Sequence, residues 1–262
     1  MAGIKFFGFN YTGSGYEPTI AVSSGTNTME YPIDGLKYTR WTSEGQNADG
    51  TGGLIFWESK FGASRTISDI FVYQTNCKDL KAVYGTSNTV VPNCTTVKSI
   101  GGTDYHFNFD SVQTTQVRLI GSSTITASQD KYINEVYSFS EIGAFEYPVQ
   151  LKAKLTKEQV DLKLENGKHF IFNKGNNFSG ELTFKSHINQ NDIDIFSTLL
   201  ERDSEFHIWP CGGDDTQFTY KFWPYRFRDM FKVSIIKDTS PIYTKNLYHT
   251  GLNAKLKIVE VY

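Results

Sequence analysis

From residue 54 the apolar residues arrive in short runs cut by turn-forming clusters: "LIFWESKF", "ISDIFVY", "LKAVYG", "YHFNF", "TQVRLIG" and "EIGAFEY". Short apolar runs bounded by Gly, Asn, Asp and Ser predict the strands of a sandwich or barrel. Within "ISDIFVYQ", Ile67, Ile70 and Val72 do not alternate cleanly. That pattern predicts a strand covered on both faces, and so two stacked layers rather than a lone sheet.

At Tyr147-Pro148 the pattern changes. Proline cannot donate a ladder hydrogen bond, and the "VQLKAKLTKEQVDLKLENGKHFIF" that follows it is richer in Lys and Glu. A boundary is expected near residue 148, dividing the chain into 1–147 and 148–262. Apolar positions alternate on both sides of Asn166-Gly167, a pair suited to the positive φ angles of a hairpin turn. "NQNDIDIFSTLLERDS" predicts a helix near 190–202, with Asn189 or Asn191 as N-cap, acids in the first turn, and Ile193, Phe196, Leu199 and Leu200 on one face. "FTYKFW", "FKVSII" and "LNAKLKIVEVY" read as further strands, separated by Pro210, Gly212, Gly213 and Pro224. The expected class is therefore mainly β: a sandwich followed by a β-barrel or sandwich module carrying one helix, with no internal repeat and no low-complexity linker.

Composition narrows the partners. The 26 Lys and Arg nearly balance the 28 Asp and Glu, so no broad positive field draws in nucleic acid or an anionic membrane. The 20 Phe and 15 Tyr against 3 Met suit strands. No stretch approaches the roughly 18 apolar residues of a membrane helix. The opening "AGIKFFGFNYTGSG" holds an apolar run shorter than a secretion signal, so a cytosolic product is expected. Cys77, Cys94 and Cys211 form no CxxC pair; free thiols and a Cys77–Cys94 bridge both stand open.

No reaction centre is legible. His106, His169, His187, His207 and His249 are scattered without HExxH spacing, and no G-x-S-x-G, P-loop or dinucleotide fingerprint occurs. The glycines of "GQNADGTGG" precede a strand, not a helix, and read as a loop. Pro210 separates His207 from Cys211, which argues against a fixed thiol–base pair, and Asp214 and Asp215 read as a solvated loop tip rather than a glycosidase pair. The chain is expected not to be an enzyme. Arg226 and Arg228, beside Trp223 and Tyr225, read as an interface stripe where arginine and aromatics anchor a protein partner.

The stretch "DGLKYTRW" (Asp34, Gly35, Thr39, Arg40, Trp41) has the D-G-x-x-x-T-x-W spacing of discoidin-type, galactose-binding-like domains. "LIFWESKFGASRTISDIFVY", "LKAVYGTSN", "FDSVQTTQVRLIG" and "SEIGAFEY" follow in an order similar to that family's later strands. The resemblance covers roughly residues 15–147 and implies a jelly-roll β-sandwich with ligands, often sugars, in loops at one end. Trp57, Arg65, Tyr84 and Asn88 are the loop candidates it implies. It also implies a structural calcium beside Asp34, Thr39 and Glu141, although Leu36 stands where the family usually has a further oxygen ligand. Without calcium the same cluster reads as an Asp-capped turn with Thr39 and Trp41 packing the strand entrance. No other cofactor is expected.

The half after residue 148 more faintly resembles β-modules of phage tail-tip and baseplate proteins. The resulting expectation is a structural virion protein of a phage-type tail, assembled in the host cytoplasm. Its partners would be other tail proteins, copies of itself and a cell-surface glycan, with no nucleic acid and no membrane insertion. The alternative is a carbohydrate-binding module or lectin-like adhesin.

Overall fold

The computed structural model describes residues 4–13, 16–36, 38–99, 101–145, 150–163, 169–187, 189–202, 204–210, 230–236, 242–246 and 249–261. In chain order the strands are β1 (Lys5–Phe7), β2 (Thr19–Val22), β3 (Trp41–Thr42), β4 (Ile55–Thr75), β5 (Cys77–Tyr84), β6 (Thr89–Val90), β7 (Thr95–Lys98), β8 (Tyr105–Thr124), β9 (Tyr132–Phe139) and β10 (Glu141–Ala144). They continue as β11 (Gln150–Lys163), β12 (His169–His187), β13 (Phe206–Trp209), β14 (Phe231–Ile235), β15 (Ile242–Asn246) and β16 (His249–Glu260), with helix α1 (Gln190–Leu200) between β12 and β13. The chain is mainly β, in two sheets.

Two compact units form: Gly8–Glu141, and Met1–Phe7 together with Ile142–Tyr262. This differs from a division at residue 148. β1 pairs with β13 through Lys5↔Trp209 to Phe7↔His207, so the N-terminal strand belongs to the second unit. Such a pairing joins residues some two hundred positions apart and leaves no local pattern to read.

In Gly8–Glu141, "LIFWESKF" and "ISDIFVY" are halves of one strand, β4, and "YHFNF" and "TQVRLIG" are halves of β8. A straight strand of that length would span about 70 Å at roughly 3.3 Å per residue, yet Ile55 and Trp57 share one core with Ile70 and Val72. β4 must therefore fold over. The bend lies where its register against β8 slips, between Lys60 and Arg65. One layer then holds β2, the first part of β4, the last part of β8, β5 and β6; the other holds β3, β9, the last part of β4, the first part of β8 and β7. Between them lie Trp41, Trp57, Leu80, Tyr105, Phe107, Val117, Leu119, Ile133 and Val136, all buried. The outward face of the second layer is buried too, with His106 stacked on Phe71 at 4.2 Å and bonded to Asp69 at 2.7 Å. Ile67, Ile70 and Val72 nevertheless all sit in the core between the layers; their alternation breaks because the register against β8 slips between Ile67 and Asp69, which brings Ile67 and Ile70 to one face.

The strand read as the last of this sandwich, "EIGAFEY", is not part of it. β10 joins the other sheet beside β1, and the sandwich is closed instead by β9, "YINEVYSF".

The second unit is a sheet ordered β10-β1-β13-β14-β16-β12-β11, with β15 on β16. Asn189 is the N-cap of α1, accepting from the Asp192 N–H at 2.9 Å. The helix buries Ile195, Phe196 and Leu199, while Ile193 and Leu200 are half-buried at the margin of the same core. The buried face is thus turned toward Ile195 relative to the sequence expectation, because the core decides which flank of the apolar stripe it covers. β11 and β12 pair from Gln150↔Thr183 to Lys163↔His169, flanking the Asn166-Gly167 turn, which itself lies outside the described residues.

Candidate ligand site

The turn at Asp34 is built locally. Tyr31–Ile33 form a 3-10 turn, and the Asp34 carboxylate accepts the Leu36 N–H at 2.7 Å. The Thr39 hydroxyl lies 3.0 and 2.8 Å from the two Asp34 oxygens and 2.7 Å from the Leu36 carbonyl. One hydroxyl proton cannot serve three acceptors, so several oxygen lone pairs converge there. Next to it Trp41 is wholly buried, its indole N–H donating to the Ser24 carbonyl at 2.9 Å. Gly25 allows this entry, since it sits at φ 69° and a Cβ there would come within 2.1 Å of the Thr42 carbonyl oxygen.

Of the acids assigned to this cluster, Glu141 opens β10, where its N–H donates to Ser68 Oγ at 2.9 Å. Burial raises the Tyr137 hydroxyl, and the charge and hydrogen bond of Glu135 together with the charge of Asp34 raise it further, so Glu135 and Asp34 act on one phenol.

The loop end of the sandwich gathers residues 43–53, 74–77 and 124–132. Ile125 N–H donates to Asn76 O at 2.8 Å, Thr75 Oγ1 to Tyr132 O at 2.6 Å, and Asp49 accepts from the Thr124 N–H and hydroxyl at 3.2 and 3.1 Å. Lys131 is fully buried and donates to the Gln46 and Ala48 carbonyls at 2.8 and 2.7 Å. Gly53 lets the loop close around this ammonium, for a Cβ there would meet Ala48 O at 1.6 Å and Lys131 Nζ at 2.9 Å. At Asp49 burial pushes the carboxyl up, but the bonds from Ser128 and Thr124 and the Lys131 charge outweigh it and hold the group below its ordinary 3.8. These polar groups are spent on one another. Cys77 is buried here as a free thiol, pushed up to about 11 by burial, and Cys94 is free as well.

The bend end is different. Arg65 lies just past the register slip, opposite Thr114, whose hydroxyl accepts the Gly85 N–H at 3.2 Å. Gly85 and Asn88 close a turn through the Asn88 N–H to the Gly85 carbonyl at 3.2 Å, both at positive φ. Around Arg65 stand rings from the N-terminal segment: its guanidinium carbon is 5.0 Å from the Tyr16 centroid and 5.6 Å from that of Tyr11. Tyr16 packs on Tyr11 at 5.2 Å and on Phe9 at 5.7 Å, and Tyr11 on Phe61 at 6.3 Å. Phe9 is 39 % exposed, while Tyr11 and Tyr16 are half-buried. Arg65 Nε is buried without a hydrogen-bond partner among the described residues.

Three of the four loop candidates, Arg65, Tyr84 and Asn88, thus belong to this end. Tyr84 is half-buried against the core, and Asn88 is exposed. Trp57 does not join them. It has 0 % exposure and its indole N–H donates to Met29 O at 3.0 Å, so it offers no surface to a ligand. Phe9, Tyr11 and Tyr16 were missed, although "FNYTGSGYEP" holds three aromatics around a Gly-rich turn. Trp223, Tyr225, Arg226 and Arg228 lie outside the described residues, as do Cys211, Asp214 and Asp215.

No protein-family model matches the sequence, and no curated protein matches it. Among solved structures the chain is similar to one from the Streptococcus pneumoniae beta-galactosidase BgaA, at 18% identity and TM-score 0.42, covering 51% of this chain and 99% of that one. It is similar to chitosan-binding module 1 of a Paenibacillus sp. IK-5 chitosanase/glucanase, at 18% identity and TM-score 0.40, covering 50% and 99%. It is also similar to the family 32 carbohydrate-binding module of Clostridium perfringens NanJ, solved with galactose, at 16% identity and TM-score 0.39, covering 47% and 94%.

Proposed function

We propose that Gly8–Glu141 is a non-catalytic carbohydrate-binding module whose ligand rests at the bend end, on Phe9 and Tyr16, with Arg65 as hydrogen-bond donor and Asn88 at the rim. The observation that carries this reading is the meeting of partly exposed rings with a half-buried guanidinium that no described carboxylate pairs. A ring face takes up the C–H face of a sugar, and Arg N–H groups donate to its oxygens. The residues of this chain support the proposal; similar modules are described with galactose, with chitosan and with 4,5-unsaturated mannuronic acid. A glycan array probed with the whole chain tests it: defined sugars should bind, and Tyr16→Ala or Arg65→Ala should abolish binding without unfolding the protein. An array blank at every glycan would overturn it.

The oxygens of Asp34, the Leu36 carbonyl and Thr39 fit a hard cation, and the proposal includes calcium held there. Bound calcium would cross-link residues 34–39. A melting temperature that rises with calcium, and does so no longer in Asp34→Ala, tests this part.

A separate reading, that the second unit assembles with another chain, is favoured by one feature of its sheet. Leu155–Lys163 pair with His169–Phe178, and among the described residues no third strand pairs with that ribbon before Ser179. Two-stranded ribbons are marginal alone, which favours assembly with another chain. Sedimentation of the intact protein tests it, and a monomer at every concentration would remove the support.

A further inference from the structure

We infer that the ligand of the bend end carries a carboxylate: a pyranose acid rather than a neutral sugar. This rests on the carbohydrate reading above and goes further by naming the group that Arg65 receives.

A second arginine of the same strand pair provides the reference. Arg118 on β8 donates Nε to the buried Glu58 carboxylate at 2.7 Å, with its second contact through Nη2, while its carbon lies 4.6 Å over the Phe56 ring. Lys60 and Gln116 complete that carboxylate's partners at 3.2 and 3.1 Å. This is a structural arginine: fork satisfied, face stacked, charge cancelled. Arg65 has the stacking half of that arrangement, on Tyr11 and Tyr16, and lacks the other half: no described carboxylate pairs with it, and with Nε buried its two Nη groups are the end left to a ligand.

The guanidinium fork presents parallel N–H donors matched to the two oxygens of a carboxylate. A neutral hydroxyl offers one oxygen and no charge, so it leaves both the fork and the charge under-used. The tyrosine faces fix the guanidinium plane and hold it partly out of water, where a charge-assisted pair is stronger than in bulk solvent. Phe9, exposed beside Tyr16, supplies a surface for the ring that bears the carboxylate. Hexuronic acids and sialic-type acids share this chemistry.

The test is titration calorimetry on the intact chain with digalacturonate, its methyl ester, sialyllactose and lactose. At least one acid should bind about tenfold or more tightly than its neutral counterpart, with affinity falling as salt is added. Arg65→Gln should erase that preference while its melting temperature stays at the wild-type value, and Arg65→Lys should recover part of it. Which acid wins separates the two sources. Equal binding of acid and ester, or a preference that survives Arg65→Gln, overturns the inference and leaves the carbohydrate reading standing. Failure of both acids and both neutral sugars overturns the inference as well, and a blank array then removes the carbohydrate reading with it.

Discussion

At the loop end of Gly8–Glu141 the Lys131 ammonium is buried and gives its protons to the Gln46 and Ala48 carbonyls, while at the bend end the Arg65 guanidinium rests against tyrosine rings with Nε unspent. Both are cations held by the same sandwich. The first is closed, its loop wrapped so tightly that only glycine fits at position 53. The second has no described carboxylate beside it and stands next to an exposed ring. Burying a charge is costly unless its partners are supplied, so a site with partners supplied speaks of stability and one with them withheld speaks of a ligand.

The comparison breaks most severely at the core between the ends. Trp57→Ala should cost about 3–5 kcal/mol in denaturant unfolding, as for other buried Trp and Phe truncations; a loss of sugar binding at unchanged stability would return Trp57 to the ligand residues. Next, Lys131→Met leaves the Gln46 and Ala48 carbonyls without a donor and should cost about 2–4 kcal/mol, lowering the melting temperature by roughly 10 °C, with glycan binding retained at the other end. A melting temperature near wild type would mean the loop end is not closed by this ammonium.

Acid should sharpen the same contrast by a smaller amount. Asp49 is held below its ordinary 3.8, so it stabilises the fold above that pH and ceases to as pH falls through its lower folded value. Wild type should exceed Asp49→Asn in melting temperature at neutral pH, and the two should converge in acid; a constant gap at all pH values would show that the carboxylate charge is not the cause. Arg65→Gln comes last, with a stability change within about 0.5 kcal/mol and its whole effect in ligand affinity. A large destabilisation there would make Arg65 structural after all.

Much of the candidate site was half legible. Arg65, Tyr84 and Asn88 flank turns that glycine and polar residues announce, and they meet at one end. Trp57 was misplaced because an aromatic in a strand carries no local mark of which face it takes. Tyr11 and Tyr16 went unnoticed because their neighbour Arg65 is some fifty residues away. "EIGAFEY" was read as the closing strand of the sandwich and "YINEVYSF" was not read as a strand, because only the pairing of distant strands places the first in the other sheet and the second in this one.

By itself the sequence determined the mainly β class, the pairing of the strands on either side of residues 164–168 and a helix near 190–202 with its N-cap narrowed to Asn189 or Asn191, since periodicity, turn residues and caps act within a few positions. The tertiary structure alone decided that β4 and β8 fold over as single strands, that β1 crosses to β13, and that Lys131 is satisfied while Arg65 is not. Those outcomes depend on which distant groups come into contact, and burial and hydrogen-bond satisfaction are properties of the contact rather than of either residue.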